Sequence, residues 1–295
     1  MSEGAPNRSA LARRAAAALL LALMALQAIA GMRLLSTTYD ETTHLPSGYA
    51  YWKTGDFRLN PQHPPLIKLL CAAPLLALGA EFDPDDPGLR EGAVDEWGFG
   101  YRFLYTQDAE RLLFWGRMPA VMLGLLLAFY VHLWATRLFG VAAGFFALTL
   151  CAFSPAILGH MRFVTFDVGL ACFATICLYH LSRYLRSGAR LQLAVCGLAL
   201  GAALASKYSG LVVAASVAVL LAVAALRPGR RGRTGGPAGR RALRLLGELA
   251  TVALPALLVI QAAYFFDTDP LVYWKGLARV HADHDPDHAL SLIHI

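Results

Sequence analysis

Long apolar blocks alternate with polar stretches along the chain, and this pattern predicts membrane-spanning helices. Each of seven blocks contains 16 to 25 mostly apolar residues. The blocks are Ala15–Leu35, Leu112–Thr136, Val141–Leu158, Phe163–Leu181, Leu191–Ser206, Ser209–Leu226 and Leu245–Phe266. A helix needs about 20 apolar residues to cross the hydrocarbon core of a bilayer. We therefore expect an all-α integral membrane protein, a polytopic helical bundle with about seven transmembrane helices.

The composition excludes the main classes of soluble protein. Hydrophobic residues make up 57% of the chain and charged residues 16%, and the mean hydropathy is +0.50. A soluble domain carries about 25% charged residues. The five cysteines lie inside apolar runs without metal-ligand spacing, so they indicate neither disulfides nor a redox compartment. Soluble enzymes, nucleic-acid binders, disulfide scaffolds and disordered proteins are excluded.

The first apolar block follows Arg13 and Arg14 and resembles a signal peptide in that respect. No clear small-residue cleavage site precedes Arg33, and further spans follow. We therefore interpret Ala15–Leu35 as a retained anchor.

The positive charges predict the orientation of the bundle. With a cytoplasmic N-terminus, 14 of the 26 Lys and Arg residues lie on the inner side, with only Glu3 and Glu248 among the 20 acidic residues. The inner basic residues are Arg8, Arg13, Arg14, Arg137, Arg183, Arg186, Arg190 and seven between Arg227 and Arg244. Cytoplasmic loops carry an excess of Lys and Arg. We expect a multi-pass protein of the cell (inner) membrane whose first large loop is extracytoplasmic.

The same bias decides two ambiguous segments. If the apolar stretch Leu66–Ala80 crossed the membrane, every later segment would invert and the loop Arg227–Arg244 would face outwards. We therefore expect Leu66–Ala80 to form a helix at the outer interface. The basic loop is interpreted as a topology determinant rather than as a patch for nucleic acid or anionic lipid, and no nucleic-acid partner is expected.

The first outer loop, residues 36–111, is too long for a simple connector and concentrates polar residues at the membrane edge. It includes acids, bases and aromatic side chains beside rigid Pro-rich backbone. The candidate site residues in it are Asp40, Glu41, His44, Tyr49, Asp56, Arg58, His63 and Lys68. Such a set is suited to handling a polar group next to a lipid phosphate.

Three further ionisable residues fall on the same predicted side of the membrane. Arg162 and Asp167 flank the start of the fourth span, and Lys207 lies between the fifth and sixth spans. A single basic residue at a helix end often only extends to the interface. Three charged residues near the acidic loop favour a functional role.

These residues carry a family resemblance. The pair Asp40-Glu41 follows the first span, and the run His63-Pro64-Pro65-Leu66 with Lys68 comes later in the same loop. In this topology the combination resembles the polyprenyl- or dolichyl-phosphate-sugar glycosyltransferases of the membrane-embedded C-type fold. Among these it is most similar to the family 39 protein mannosyltransferase and aminoarabinose-transferase group. The stretches SPAILGHMRFVTFD and GLALGAALASKYSG extend the resemblance over most of residues 15–266.

The resemblance implies a reaction at the outer face of the membrane. A sugar would pass from a polyprenyl-phosphate donor to an acceptor hydroxyl with inversion at the anomeric carbon. Asp40 would be the general base, and Glu41 would hold the acceptor or the network around it. The leaving phosphate requires fixed positive charge, for which the candidates are His63, Lys68, Arg162 and Lys207. The polyprenyl tail would lie between spans.

Two departures leave the substrates open. The aminoarabinose transferases have Lys directly before the two prolines, where this chain has His63. They also have a basic residue two positions after the acidic pair, where this chain has Thr43. The resemblance therefore fixes neither the donor sugar nor the class of acceptor, which is protein, lipid or glycan.

No cofactor is expected. Asp40, Glu41 and His44 are too few ligands to indicate a divalent metal site. The tail residues His281, His284 and His288 are interpreted as solvated surface.

The predicted organisation has four parts. Residues 1–14 form a cytoplasmic tail, 15–266 the glycosyltransferase module, and 267–289 the start of a further extracytoplasmic segment. Residues 290–295 resemble a translated sequencing adapter, so the chain is expected to be a C-terminally truncated fragment.

Two other classes of function remain open. The chain suits a multi-pass permease or lipid flippase, or a membrane scaffold without activity. Transporters place polar residues near the bilayer midplane, often within inverted repeats. In this chain the charges collect at the predicted outer edge, which favours the transferase.

Overall fold

The structure, a computed structural model, describes residues 8–90, 94–226, 238–269 and 271–283. These ranges form α-helices joined by short connections and contain no β-strand, which confirms the predicted all-α class. The helices are α1 Arg8–Met32, α2 Glu41–Thr54, α3 Leu66–Leu78, α4 Glu96–Tyr105, α5 Ala109–Phe139, α6 Val141–Ala152, α7 Pro155–His160, α8 Asp167–Ser187, α9 Arg190–Ser206, α10 Gly210–Leu226, α11 Ala238–Ala263 and α12 Val272–Asp283.

Four of these helices are long and apolar enough to cross a membrane. The qualifying segments are Ser9–Met32, Ala109–Phe139, Asp167–Ser187 and Gly239–Ala263. The other predicted spans correspond to the shorter apolar helices α6, α9 and α10. A polytopic membrane bundle is therefore confirmed, with four spans by length and composition and three shorter apolar helices.

The third predicted span, Val141–Leu158, is wrong as a single helix. Helix α6 ends at Ala152, and Ser154 begins α7 by accepting a hydrogen bond from the Ile157 amide at 3.4 Å. Pro155 occupies the first position of α7, where its missing amide hydrogen is harmless but where α6 could not have continued. The helix therefore breaks between Ala152 and Pro155.

Helix α9 packs between α8 and α11 and forms the centre of the bundle. Gly197 and Gly201 of α9 lie against the backbone of α11 at Val252 and Ala256, where a side chain would clash. Small residues spaced four apart allow helices in membranes to approach closely. Many large apolar side chains on the outside of the bundle are exposed, as expected of a surface that faces lipid.

Helices α2, α3 and α4 form a cap at one end of the bundle. Helix α3 has 13 residues and packs against α2 and α5. That Leu66–Ala80 does not cross the membrane stays a prediction. The backbone of Gly48 in α2 touches the carbonyl of Lys68 in α3, so the two helices are in close contact.

The end of α1, the starts of α5 and α8, the α9–α10 junction and the end of α11 all meet this cap. The alternation of helices therefore places every candidate site residue at one end of the molecule, as the predicted topology requires. The predicted tail boundary at residue 14 falls inside α1, which begins at Arg8. Most of the predicted basic loop and the last residues, with His284 and His288, lie outside the described ranges.

Candidate active site

Asp40 occupies the N-cap position of α2 and is exposed. Its backbone carbonyl accepts hydrogen bonds from the amides of Thr43 and His44 at 3.1 and 2.9 Å. The preceding Tyr39 stacks on Trp97 of α4 with 3.8 Å between ring centroids, which fixes the start of α2. Within the described residues the Asp40 carboxylate has neither a hydrogen bond nor an ion pair. Its oxygens are therefore free to accept a proton.

Glu41, the next residue, is fully buried and forms an ion pair with Arg117 of α5. Both carboxylate oxygens lie 2.7 Å from guanidinium nitrogens. The carboxylate also accepts hydrogen bonds from the amides of Thr38 and Val164, each at 3.0 Å. Because these partners occupy both oxygens, the structure does not expose Glu41 to an acceptor. It supports the alternative expectation, in which Glu41 holds the network around Asp40.

Arg117 is a residue of the site that was not among the candidates predicted from the sequence. The guanidinium is buried and also donates to the carbonyls of Met32, Leu35 and Ser36 at 3.1, 3.0 and 2.9 Å. It thereby fixes the segment that leads into Asp40. The available signal was an arginine inside the apolar block Leu112–Thr136, since a charge at such a position requires a partner.

The rings of His44, His63 and Phe166 form a cluster, with the histidine centroids 4.4 and 4.2 Å from that of Phe166 and 6.0 Å from each other. The His44 Nδ1 atom lies 3.1 Å from the Val164 carbonyl oxygen. Burial, together with the positive charge of Lys68, lowers the pKa of each histidine to about 3. Both imidazoles are therefore neutral near pH 7, and His63 does not supply the fixed positive charge expected of a phosphate clamp.

Because His44 and His63 are neutral in the folded protein, we expect the free energy of unfolding to depend on pH. Between pH 6.5 and about 3 the unfolded chain protonates these imidazoles while the folded chain does not, so the free energy of unfolding falls as the pH falls. Each fully differential proton contributes about 1.4 kcal/mol per pH unit. Thermal unfolding of His44→Asn in detergent between pH 6.5 and 5 should show a smaller slope than the wild type. The exposed His160→Asn is the matched control, and equal slopes for all three proteins would contradict the prediction.

Lys68 lies in the interior of the cap rather than at its surface. The ammonium is fully buried and donates to the Asn60 carbonyl, to Asn60 Oδ1 at 2.8 Å and to the Tyr51 hydroxyl at 3.1 Å. Asn60 in turn donates to Glu96 of α4 at 2.8 Å. Burial lowers the pKa of Lys68 to about 7. Lys68 therefore does not face a phosphate site but fixes the backbone before His63.

Lys207 and Asp167, which the sequence predicts on the same side of the membrane, form an ion pair. The Lys207 ammonium lies 2.7 Å from Asp167 Oδ1 and is partly exposed, and His160 Nδ1 lies 4.0 Å from Asp167 Oδ2. The Arg162 Nε donates to the Leu158 carbonyl at 2.7 Å, and its guanidinium lies on Gly31 of α1. These residues place two cations beside the cap, at the edge of the bundle.

The three remaining candidates are Tyr49, which lies inside the cap, and Asp56 and Arg58, which lie nearer its surface. Tyr49 is fully buried and donates from its hydroxyl to the Ala80 carbonyl at 2.6 Å, so it stabilises the cap and does not reach a substrate. Asp56 and Arg58 form an ion pair with 2.6 Å between Oδ2 and Nη2, and both are partly exposed. Both residues line a cavity.

The cavity has a volume of about 340 Å³ and opens between the cap and the segment that follows α11. Its walls come from the outer loop, from the α9–α10 junction and from residues 264–269 and 271–276. The lining includes Tyr51, Asp56, Phe57, Arg58, Pro61, His63, Pro65, Tyr208, Tyr264, Asp267, Asp269, Val272, Lys275 and Gly276. Sequence reasoning did not identify the wall from residues 264–269 and 271–276, because nothing in that stretch indicates that it turns back over the cap.

In the described ranges, no group of three or more His, Cys, Asp or Glu side chains is arranged to hold a metal ion. Of the tail histidines, His284 and His288 lie outside those ranges.

The chain is similar to one protein family in sequence and to one solved structure in fold. Residues 110–234 match the family model described as dolichyl-phosphate-mannose-protein mannosyltransferase. The chain is also similar to a structure of the S. cerevisiae protein O-mannosyltransferase Pmt1-Pmt2 complex bound to the sugar donor, with 20% sequence identity and a TM-score of 0.58. The similarity covers 88% of this chain and 34% of the yeast chain, so the chain spans about a third of that protein's length. None of the curated proteins matches the chain.

The solved structure supports the fold, and the family model covers α5 to α10 together with the stretch that follows. The expected resemblance to protein mannosyltransferases is therefore confirmed, in sequence over residues 110–234 and in fold over most of the chain. Over residues 110–234 the chain is similar in sequence to the protein mannosyltransferases, and over most of its length it shares the membrane fold of the yeast protein O-mannosyltransferase structure.

Proposed function

We propose that the protein is a membrane glycosyltransferase that transfers a sugar, a mannosyl or related residue, from a polyprenyl-phosphate donor to an acceptor hydroxyl. The unpaired Asp40 carboxylate carries this proposal, because it lies at the same end of the bundle as the cations Arg162 and Lys207. The mannosyltransferase family match supports the reaction class. The acceptor is a hydroxyl of a protein, lipid or glycan at the outer face of the cell membrane, and the N-terminus is cytoplasmic.

The proposed reaction is a single displacement. Asp40 takes the proton of the acceptor hydroxyl, and the acceptor oxygen forms a bond to the anomeric carbon. The bond between that carbon and the phosphate oxygen breaks, and its electron pair leaves with the phosphate. Attack opposite the leaving group inverts the anomeric configuration. The negative charge that develops on the phosphate requires nearby cations in a site of low dielectric, and Lys207 and Arg162 supply them.

The placement of charge favours this reaction over transport. A permease or flippase would be expected to place its polar groups near the middle of the bilayer, on broken helices. Here the candidate groups gather in a cap at one end, and the buried pair Glu41–Arg117 supports them. The transferase requires a carboxylate that can take up a proton, as Asp40 can among the described residues, whereas a scaffold without activity does not require one.

Transfer of radiolabel from a polyprenyl-phosphate sugar tests the proposal. The protein would be expressed in membranes from its genomic locus and incubated with several labelled donors and endogenous acceptors. We expect label to move from the lipid fraction to an acceptor. If no donor supports transfer while flippase activity is present, the transport alternative replaces the proposal.

Lys207→Ala is expected to raise the donor KM about ten- to hundredfold, because it removes a charge-assisted contact to the phosphate. Initial rates at several donor concentrations measure this effect. The matched control is Lys53→Ala, since Lys53 is an exposed lysine of the cap whose ammonium lies over the Tyr49 ring. An unaltered donor KM for Lys207→Ala would remove this residue from the phosphate site.

A further inference from the structure

We propose that the 340 Å³ cavity binds the sugar of the donor and that Asp267 is the carboxylate that recognises its hydroxyl groups. This inference rests on the proposed function and assigns the donor's sugar to a wall that follows α11. Ligand pockets for small molecules are typically about 300–1,000 Å³, so the cavity suits a single sugar ring.

The surfaces of the cavity suit a sugar. The rings of Phe57, Tyr208 and Tyr264 line it together with Pro61 and Pro65, and these apolar surfaces can pack on the C–H faces of a sugar. The lining also includes the charged side chains of Asp56, Arg58, Asp267, Asp269 and Lys275. A pocket that combines aromatic surfaces with polar groups binds a ligand with apolar faces and several hydroxyls.

The charges in the cavity favour an uncharged ring over a phosphate. Asp56 is paired with Arg58, and Asp269 is paired with Lys275 at 2.5 Å. Among the described lining residues Asp267 is the remaining carboxylate, so their side chains together carry a net negative charge. A phosphate would be repelled there, whereas sugar hydroxyls donate hydrogen bonds to a carboxylate.

Asp267 has capacity for such bonds. Its Oδ1 accepts a hydrogen bond from the Asp269 amide at 2.8 Å. Within the described residues its other oxygen has no partner, and the nearby Lys275 is held by Asp269 instead. A carboxylate with a fixed backbone and a free oxygen in the lining is positioned to select among sugar hydroxyls.

The backbone places Asp267 at the cavity by an unusual turn. Phe265 and Phe266 adopt φ values of 54° and 56°, in the left-handed region that bulky residues rarely occupy. The Phe266 amide donates to the Gln261 carbonyl at 2.7 Å, and the Asp267 amide donates to the Tyr264 carbonyl at 3.0 Å. Strain of this kind persists where the surroundings fix it and is common at ligand sites.

Aromatic contacts hold the turn against the cap. The ring of Phe265 lies 5.1 Å from that of Trp52 and 5.4 Å from that of Phe57. On the other side of the cavity, Gly276 of α12 lies against the Tyr208 hydroxyl, where a larger residue would clash. The wall formed by residues 264–269 and 271–276 is therefore fixed to the elements that carry His63 and Lys207.

The position of the cavity fits the proposed reaction. His63 lines it, and so does Tyr208, which directly follows Lys207. A sugar in the cavity would therefore leave its phosphate near the Lys207 ammonium and outside the negatively charged interior. Asp267 would then recognise the sugar of the donor, and Lys207 would recognise its phosphate.

Direct binding of two ligands tests this assignment. One ligand is a polyprenyl-phosphate hexose and the other is the same polyprenyl phosphate without a sugar. Asp267→Ala should weaken binding of the first about ten- to hundredfold, the scale of hydrogen bonds to a charged group, and leave the second unchanged. Val272→Trp, which narrows the cavity, should act in the same way. Thr268→Ala in the same turn should leave the affinity for both ligands unchanged, and Lys207→Ala should lower the affinity for both.

The results distinguish the two proposals. The cavity does not hold the sugar if Asp267→Ala and Val272→Trp bind the glycosylated lipid as tightly as the wild type does. The same conclusion follows if both variants bind the two lipids more weakly by the same factor. If Asp267→Ala and Val272→Trp raised only the KM for the acceptor in the transfer reaction, the cavity would be assigned to the acceptor and the inference would be wrong. Binding of neither lipid by the wild type would contradict the proposed function itself.

Discussion

Asp40→Asn is expected to lower turnover by at least about a hundredfold, the scale of a lost general base, while expression and membrane insertion stay unchanged. The amide has nearly the shape of the carboxylate but does not take up the acceptor proton. Since the Asp40 side chain has no bond to another described residue, its replacement leaves the surrounding contacts intact. The loss should appear in kcat, and donor binding should be little affected.

The matched control is Asp85→Asn, which changes another exposed carboxylate of the cap. Transfer of labelled sugar in membranes compares the wild type and the two variants at equal protein levels. Unchanged turnover in Asp40→Asn would remove Asp40 from the role of base. A loss that accompanies misfolding would show as a lowered melting temperature.

Arg117→Met is expected to destabilise the protein by about 3–5 kcal/mol, because it leaves the buried Glu41 carboxylate without its counter-ion. The guanidinium also holds the carbonyls of Met32, Leu35 and Ser36, so its loss frees the segment that leads to Asp40. Thermal or denaturant unfolding in detergent measures the effect. Arg58→Met, which breaks a partly exposed pair, should cost no more than about 1 kcal/mol.

A double variant tests whether Glu41 and Arg117 stabilise the protein as an ion pair. Glu41→Gln combined with Arg117→Met removes both charges and should be less destabilised than the sum of the two single variants. Additive effects would show that the two side chains act independently, and the role assigned to the ion pair would then be wrong.

The pattern of apolar residues was sufficient to predict the helices and the end of the bundle at which the site lies. It also predicted that Arg162, Asp167 and Lys207 lie on the same side of the membrane as the acidic loop, but it did not predict the ion pair between Lys207 and Asp167. The break at Ser154-Pro155 lies inside an apolar run, and hydropathy alone does not mark it.

Other features of the site depend on contacts between distant parts of the chain. Lys68 resembled a phosphate ligand in sequence, but its partners Asn60 and Tyr51 bury it. Glu41 and Arg117 are 76 residues apart, and neither sequence neighbourhood indicates the other. The wall that carries Asp267 depends on a left-handed turn at two phenylalanines, which ordinary turn signals do not predict.

The long separations around Glu41 also constrain how the protein is made. Its carboxylate binds Arg117, 76 residues later, and the Val164 amide, 123 residues later. During synthesis, the cap is therefore made before either partner of Glu41. The segment around Asp40 acquires its final geometry only once α5 and the start of α8 are in place, so the candidate site forms later than its position in the sequence would indicate.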